Sequence, residues 1–381
     1  MTETAATSET TTAVTPAPRR VALDAMGGDH APAEIVLGAI QAAREYRVGV
    51  LLVGPQDAIR ADLAKHDTTG LDLEIVHTDE VIGMDEHPAE AVRSKKRNSI
   101  TLAHELTRDG KALGAVSAGN SGAVMAAAIF TFRRVRGIDR PAFGAAVPAM
   151  GGGQTLVLDV GANTDCKPPY LLQFALMGAV YMRNVLGLPN PRVGLLANGE
   201  EETKGDQLTQ QAHQLIKAAA PSAGINFIGN VEGRDINAGT VDVVVCDGFV
   251  GNVVLKLSEG LAKMLLSTIR AELTAGVVSK AGALLAKPAF DRVRKKIDYE
   301  EYGGVPVLGV NGVSVICHGS SHAKAIKNAI RVALQTADAH LPERIGEGVR
   351  QLQAQSVSDA VADATASVTE TETETPEAAS S

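Results

Sequence analysis

The sequence has no tryptophan, few aromatics and only three cysteines, Cys166, Cys246 and Cys317, which lie far apart with no CxxC spacing. That spacing argues against a zinc site and against a disulfide framework, and a reducing cytoplasm is the simplest setting. Free cysteines are commonly buried, so each is read as packing rather than as a reactive thiol. GxxxxGK[ST] and GxGxxG are absent, which leaves no P-loop and no standard dinucleotide fingerprint. GNSG at 119–122 misses the GxSxG nucleophile elbow by one residue, which disfavours a serine hydrolase. The N-terminus lacks a basic region followed by an apolar core, so no secretory signal is expected.

Acidity is also scarcer than the formal charge of −8 suggests. Residues 1–18 carry two acids and no base, and residues 346–381 carry seven acids against Arg350, so residues 19–345 balance to zero. Both ends are Thr, Ala and Glu runs without apolar periodicity, which cannot bury enough surface to offset ordering. The reading is a disordered tail over 1–18, one continuous α/β domain over 19–345 and a disordered acidic tail over 346–381. Residues 112–132 contain no charge and are long enough to suggest a membrane span, but AGNSG at 118–122 breaks them into a strand and a helix.

What is abundant is Ala, Gly and Val, in a chain whose hydrophobic fraction is 45%. Short apolar runs alternate with longer Ala-rich segments from Arg20 onward, the pattern of a mostly parallel sheet covered by helices. Strands are expected at 21–23, 48–53, 73–76, 113–117, 156–160, 193–197, 226–228 and 241–246, with a late hairpin at 306–308 and 313–316. Leu257, Leu261, Met264, Leu265, Ile269 and Leu273 fall on one helical face and are read as core.

Five of the strands run into small and polar residues before a helix: DAMGGDH, SAGNSG, DVGANTDCKP, ANGEEETKG and DGFVGN. In an open parallel sheet such turns share the carboxyl edge and converge on one crevice. Glycine lets backbone approach a ligand, and helix-start amides favour a compact anion such as phosphate. A single turn of this kind is more often just a tight turn; five together point to a site.

VALDAMGGDHAP, SAGNSGA, LDVGANTDCKP, LANGEEETKG, FIGNVEGRDI, CDGFVGNVVLKLSEG and YGGVPVLGVNG resemble, in order, the bacterial phosphate acyltransferase family, PlsX. The similarity runs from about Val21 to about Ala339. It implies a three-layer α/β/α sandwich similar to the isocitrate/isopropylmalate dehydrogenase and phosphotransacetylase folds. It also implies a homodimeric transferase that moves a long-chain acyl group from acyl carrier protein to inorganic phosphate, giving acyl phosphate for phospholipid synthesis.

That chemistry suits the residues. Phosphate is already an anionic nucleophile and a thiolate of ordinary pKa about 8.5 leaves readily, so neither a metal nor another cofactor is required. Positioning and charge neutralisation suffice. Lys204 is assigned to the phosphate or oxyanion, Asn252 to the carbonyl oxygen and His30 to a proton or hydrogen bond. A surface lysine and a turn asparagine are the plain structural readings of the first two. Asp24, Gly27, Gly28, Asp29, Asn120, Ser121, Asp159, Asn163, Lys167, Asn198, Glu201, Asp247 and Gly248 are expected to line the crevice. Asp24 reads equally as a structural residue that orients His30 or caps a helix.

Acyl carrier protein is acidic and needs a basic landing area. Arg93, Lys95, Lys96 and Arg97 form one cluster, Arg133, Arg134, Arg136 and Arg140 a second, and Arg292, Arg294, Lys295 and Lys296 a third. Nucleic acid is disfavoured by the neutral core and scarce aromatics. Residues 261–290 suit a dimer core, an acyl channel or a membrane-resting surface, the last implying handover to a membrane glycerol-3-phosphate acyltransferase. Two rivals are a metal- and NAD-dependent hydroxyacid dehydrogenase of similar fold and a non-enzymatic peripheral membrane scaffold. For the first, Asp247 is followed four residues on by Gly251, not by a second ligand.

Overall fold

The structure is a computed structural model that describes residues 19–297 and 299–354. Residues 1–18 and 355–381 of the two acidic ends, and the side chain of Lys295, lie outside the described residues. Eleven strands form one sheet: β1 (Arg20–Asp24), β2 (Gly49–Gly54), β3 (Leu73–His77), β4 (Ala115–Ser117), β5 (Ala142–Pro148), β6 (Gln154–Leu158), β7 (Arg192–Leu196), β8 (Asn226–Val231), β9 (Val243–Val245), β10 (Val305–Leu308) and β11 (Ser314–Ile316). Their order is β3-β2-β1-β4-β11-β10-β5-β6-β9-β7-β8. The helices are α1 (Ala33–Tyr46), α2 (Gln56–Leu63), α3 (Pro88–Ser94), α4 (Ser99–Arg108), α5 (Ser121–Phe132), α6 (Pro168–Asn184), α7 (Gln207–Ala223), α8 (Asp235–Ala238), α9 (Gly248–Thr274), α10 (Val277–Ile297) and α11 (Ala323–Asp338).

Both faces of the sheet are covered, which is why its strands read as continuous apolar runs rather than as alternation. In β1, Val21 and Leu23 pack with α1 and α11, while Ala22 packs on the other face beside Ala103 and Leu106 of α4. In the second half, Leu156, Leu158, Val193 and Val245 meet α6 and α7, and Val157 and Val244 meet α5. The three-layer α/β/α sandwich expected from the sequence is therefore present. So is the late hairpin, with β10 and β11 antiparallel.

Four readings need correction. First, the sheet is two parallel blocks of opposite polarity. β3, β2, β1, β4 and β11 are parallel to one another, as are β6, β9, β7 and β8. The two blocks are joined through antiparallel β10 and β5. The five turns therefore do not share one sheet edge. Second, β5 was not anticipated: AFGAAVP is poor in the β-branched and aromatic residues that mark strands, and its neighbours on both sides supply the reason for its conformation. Third, the domain does not stop at 345. Residues 341–354 are helical. Leu341, Ile345 and Val349 recur every fourth residue and pack into the α6 core, with Val349 2% exposed.

The fourth correction concerns α9. Its apolar face is exposed: Leu257 59%, Met264 52% and Leu265 54%. Only Gly248 and Gly251 of this helix are buried. Periodicity identifies an apolar face but not the body that covers it: α9 touches β5 and β6 through its first turns, where Val254 and Leu255 pack on the core, and pairs with α10 as a hairpin. The uncharged 112–132 segment divides into β4 and α5 as expected. Among the described residues no helix is long and apolar enough to cross a membrane.

Candidate active site

The turns collect in three groups. The first joins the ends of β1, β4 and β11. Asp24, 1% exposed, accepts from Met26 N at 3.1 Å and from Ser117 Oγ at 2.7 Å, and Ser117 Oγ accepts from Gly119 N at 3.0 Å. A Cβ on Gly27 would stand 2.5 Å from Gly119 N, so only glycine lets these two turns touch. Gly28 has φ +97° and the next amide, of Asp29, donates to Gly319 O at 2.7 Å. This knot projects His30, whose ring stacks on His322 with centroids 4.6 Å apart. Asp29 and His30 are exposed.

Asn120 is occupied in the same way. Its Oδ1 caps α5 by accepting from Ala123 N at 3.1 Å, and its Nδ2 donates to Met84 O and Glu86 O, both at 3.2 Å. Ser121 opens that helix with an exposed side chain. With Ala123 N taken by that cap, the amides of Ser121 and Gly122 are the first-turn donors left without an intrahelical acceptor.

The second group lies where β6 and β9 end. Asp159, 0% exposed, accepts from Phe143 N at 2.9 Å, Ala162 N at 3.2 Å, Asn163 N at 2.7 Å and Asn163 Nδ2 at 3.0 Å. Burial pushes its pKa up and these donors oppose the shift. Asp247 caps α9, its Oδ1 accepting from Phe249 N and Val250 N, while Gly248 N donates to Asn163 O at 2.7 Å. The opening amides of α9 are thus occupied, and this helix start offers no open anion hole. One turn in, Asn252 is exposed and makes no hydrogen bond among the described residues. It leans over Gly161, where a Cβ would stand 3.7 Å from Asn252 Cγ.

The third group follows β7. Asn198 Oδ1 accepts from Gly205 N at 2.9 Å and closes the loop. Inside it Lys204 is exposed, and its ammonium has no hydrogen bond or ion pair among the described residues. Lys204 shares an open groove of about 600 Å³ with Asn198, Glu201, Glu232 and Arg234. Lys167, the residue before Pro168 at the start of α6, is likewise exposed. Because β6, β9 and β7 are parallel neighbours, the second and third groups leave the same edge of their block.

The first group borders a cleft of about 660 Å³, lined by His30, His318 and His322 on one side and by Lys256, Glu259, Lys263 and Leu266 of α9 on the other, with Arg294 and Glu300 completing it. Asn252 and Lys256 are four residues apart on α9 and share a face, so the asparagine lies on the side of the helix that looks toward His30. His30 lines this cleft together with the stretch of α9 that follows Asn252, and no contact brings Lys204 to His30 or to Asn252.

Asp24, Asp159 and Asn120 use their polar atoms to hold turns in place, the structural alternative already read for Asp24. Sequence reading missed Ser117, Gly119, Gly319, Gly251 and His322. GNSG and ICHGSSH carried the signal for Gly119, Gly319 and His322, but their partners are distant in sequence. Burial pushes the Cys166 thiol up to about 11, with Asp159 and Asp247 adding to the shift, and burial pushes Cys317 up to about 12. Cys246 is raised for the same first reason, so none of the three is a ready thiolate near neutral pH. No group of three or more His, Cys, Asp or Glu side chains is placed to hold a metal ion among the described residues.

The fatty acid synthesis protein family matches residues 19–344. The phosphate acyltransferase of Trichlorobacter lovleyi is 52% identical over 328 residues, covering 86% of this chain and 94% of that protein. The phosphate acyltransferase of Pelotomaculum thermopropionicum is 52% identical over 336 residues, covering 88% and 96%. Among solved structures, a phosphotransacetylase from Streptococcus pyogenes (16% identical, TM-score 0.58) and EutD phosphotransacetylase from Staphylococcus aureus (14%, TM-score 0.54) each cover 84% of this chain and 94% of their own. At that identity the likeness is one of fold.

Proposed function

The chain belongs to the fatty acid synthesis protein family, and from that premise we propose that it moves a long-chain fatty acyl group from the thioester of acyl carrier protein to inorganic phosphate, forming acyl phosphate for phospholipid synthesis. It is an acyltransferase, as its relatives at 52% identity over most of both chains are, with phosphate as acceptor. Attack by a phosphate oxygen on the thioester carbon forms a C–O bond and breaks the C–S bond, releasing the carrier's thiolate. The protein must position two anionic groups and stabilise the developing oxyanion with donors.

The observation that carries the assignment of roles is the division of labour among the turns. The buried carboxylates are occupied in holding backbone, while Lys204 in the loop after β7 and Asn252 in α9 after the neighbouring β9 present open donors. Asn252 hydrogen-bonds the carbonyl oxygen as it gains charge, and Lys204 neutralises phosphate. His30 stands across the cleft as a hydrogen-bond partner. Gly27 and Gly28 shape the turn that carries it. Thiol release from an acyl carrier protein thioester, measured with and without phosphate in the presence of a chelator, tests this reading; release indifferent to phosphate refutes it.

The apolar face of α9 and α10 supports a homodimer. Leu257, Leu261, Leu265, Val277, Leu284 and Leu285 are all exposed along this hairpin, and a second copy of the same hairpin is their simplest cover. Sedimentation of the chain as a monomer at micromolar concentration refutes that. The free outer part of the same hairpin is a surface for resting on the cytoplasmic membrane, where acyl phosphate passes to a membrane glycerol-3-phosphate acyltransferase. Flotation with anionic vesicles tests this contact.

A further inference from the structure

The cleft beneath His30 holds three cations, Lys256, Lys263 and Arg294, beside two acids, Glu259 and Glu300. Lys256 and Lys263 lie along one face of α9, and Arg294 of α10 joins them. Lys256 is paired with Glu259 at 2.9 Å. Lys263 and Arg294 form no ion pair among the described residues, and both are exposed. Facing them are the stacked rings of His30 and His322, and His318, whose Nδ1 is 2.8 Å from Ser320 Oγ. Ala262 and Leu266 make an apolar strip between the charges. Two unpaired cations beside an apolar strip, in a cleft whose Glu259 is already held by Lys256, suit a flexible, partly apolar chain that carries a phosphate ester.

The spacing gives this cleft a scale. Lys263 is eleven residues beyond Asn252, about 16 Å along the helix axis at 1.5 Å per residue. A carrier-protein thioester hangs on a phosphopantetheine arm, whose path from sulfur to phosphorus is about four peptide units long, roughly 15 Å when extended at ~3.5 Å per unit. With the thioester carbonyl at Asn252, an arm laid along α9 brings its phosphodiester to Lys263. We propose that this cleft holds the phosphodiester of the donor's phosphopantetheine arm, with Lys263 and Arg294 as its cationic partners. The proposal rests on the reading of Asn252 given above and extends it to recognition of the donor.

The test uses two donors that differ only in that group, hexadecanoyl-phosphopantetheine and hexadecanoyl-pantetheine, with thiol release followed at saturating phosphate. Wild-type enzyme is expected to favour the phosphorylated donor in kcat/KM by about tenfold or more, the effect of one or two charge-assisted hydrogen bonds. In K263A/R294A the ratio falls to about one; in K263R/R294K most of it survives. A wild-type ratio near one, or a double variant that keeps its preference, overturns the proposal. A rise in the KM for inorganic phosphate that is equal with both donors also overturns it, because the cleft then serves the acceptor. Calorimetric binding of free phosphopantetheine to the wild-type chain and to the single variant K263A provides a readout independent of turnover. Thiol release that ignores phosphate, with phosphopantetheine still bound through Lys263, refutes the acyl-transfer reading and leaves the cleft assignment standing.

Discussion

The most exacting prediction concerns Gly251, which lies against the turn after β6 with no room for a methyl group. A Cβ there would stand 1.9 Å from Asp159 O and 3.0 Å from Cys246 Sγ. The first of these is backbone and cannot rotate away, so Gly251→Ala must drive α9 and the Asp159 turn apart by about 1 Å. Overpacking of this kind costs about 1–3 kcal/mol of stability. The functional effect is larger, because Asn252 is the next residue and a misplacement of about 1 Å in a catalytic group lowers the rate by about 10²-fold. Gly282→Ala on α10 is the control: nothing lies within 4 Å of its Cβ, and alanine in a helix interior adds about 0.5–1 kcal/mol. Urea midpoints and kcat/KM for thiol release in both variants give the comparison. Wild-type stability together with wild-type turnover in Gly251→Ala would refute the close approach and the positioning of Asn252 that depends on it.

Three further outcomes follow from the same geometry. Lys204→Ala should lower kcat/KM for phosphate by about 10²-fold, and Asn252→Ala should lower kcat by a similar factor, since each removes one donor to developing charge; steady-state kinetics at varied phosphate separates the two, and unchanged values remove the residue from the mechanism. Asp24 is buried without a cation and its pKa is raised by burial, so its contribution to stability is full below the unfolded carboxylate value and is lost as pH rises through the folded value. Asp24→Asn should therefore gain stability relative to wild type as pH rises above the ordinary carboxylate value; thermal unfolding in which the difference between the two does not grow with rising pH contradicts this. His104 is buried with Nδ1 2.8 Å from Ile100 O and Nε2 2.9 Å from Ser314 Oγ, and burial lowers its pKa to about 4. The stability it supports is present above about pH 6.5 and is lost as pH falls toward 4, a change of about 3 kcal/mol at 1.36 kcal/mol per unit. His104→Gln should flatten that limb of the urea-midpoint profile.

The roles of the turn residues divide according to whether their partners are near or far in sequence. Asp247 capping Phe249 and Val250, and Asn120 capping Ala123, are local events that an N-cap pattern announces. Asp24 bonding Ser117, Asp159 bonding Phe143, and Gly27 touching Gly119 join segments 16 to 93 residues apart, so nothing in a local window separates them from ligands to phosphate. That is why the expected carboxylate ligands became supports for the turns, while the flexible donors Lys204 and Asn252 remained open.

By itself the chain's order of apolar runs and small-polar turns determined an α/β layering, the strands that end in chemistry, and the split of residues 112–132 into strand and helix. These are properties of single segments, set by side-chain period and by glycine and proline. Only the tertiary structure decided the rest: the reversal of strand direction at β10 and β5, the conversion of AFGAAVP into a strand, the burial of Val349 and the exposure of Leu257 and Leu265. Each depends on which surface is packed opposite, and burial, unlike periodicity, belongs to a pair of elements and not to one.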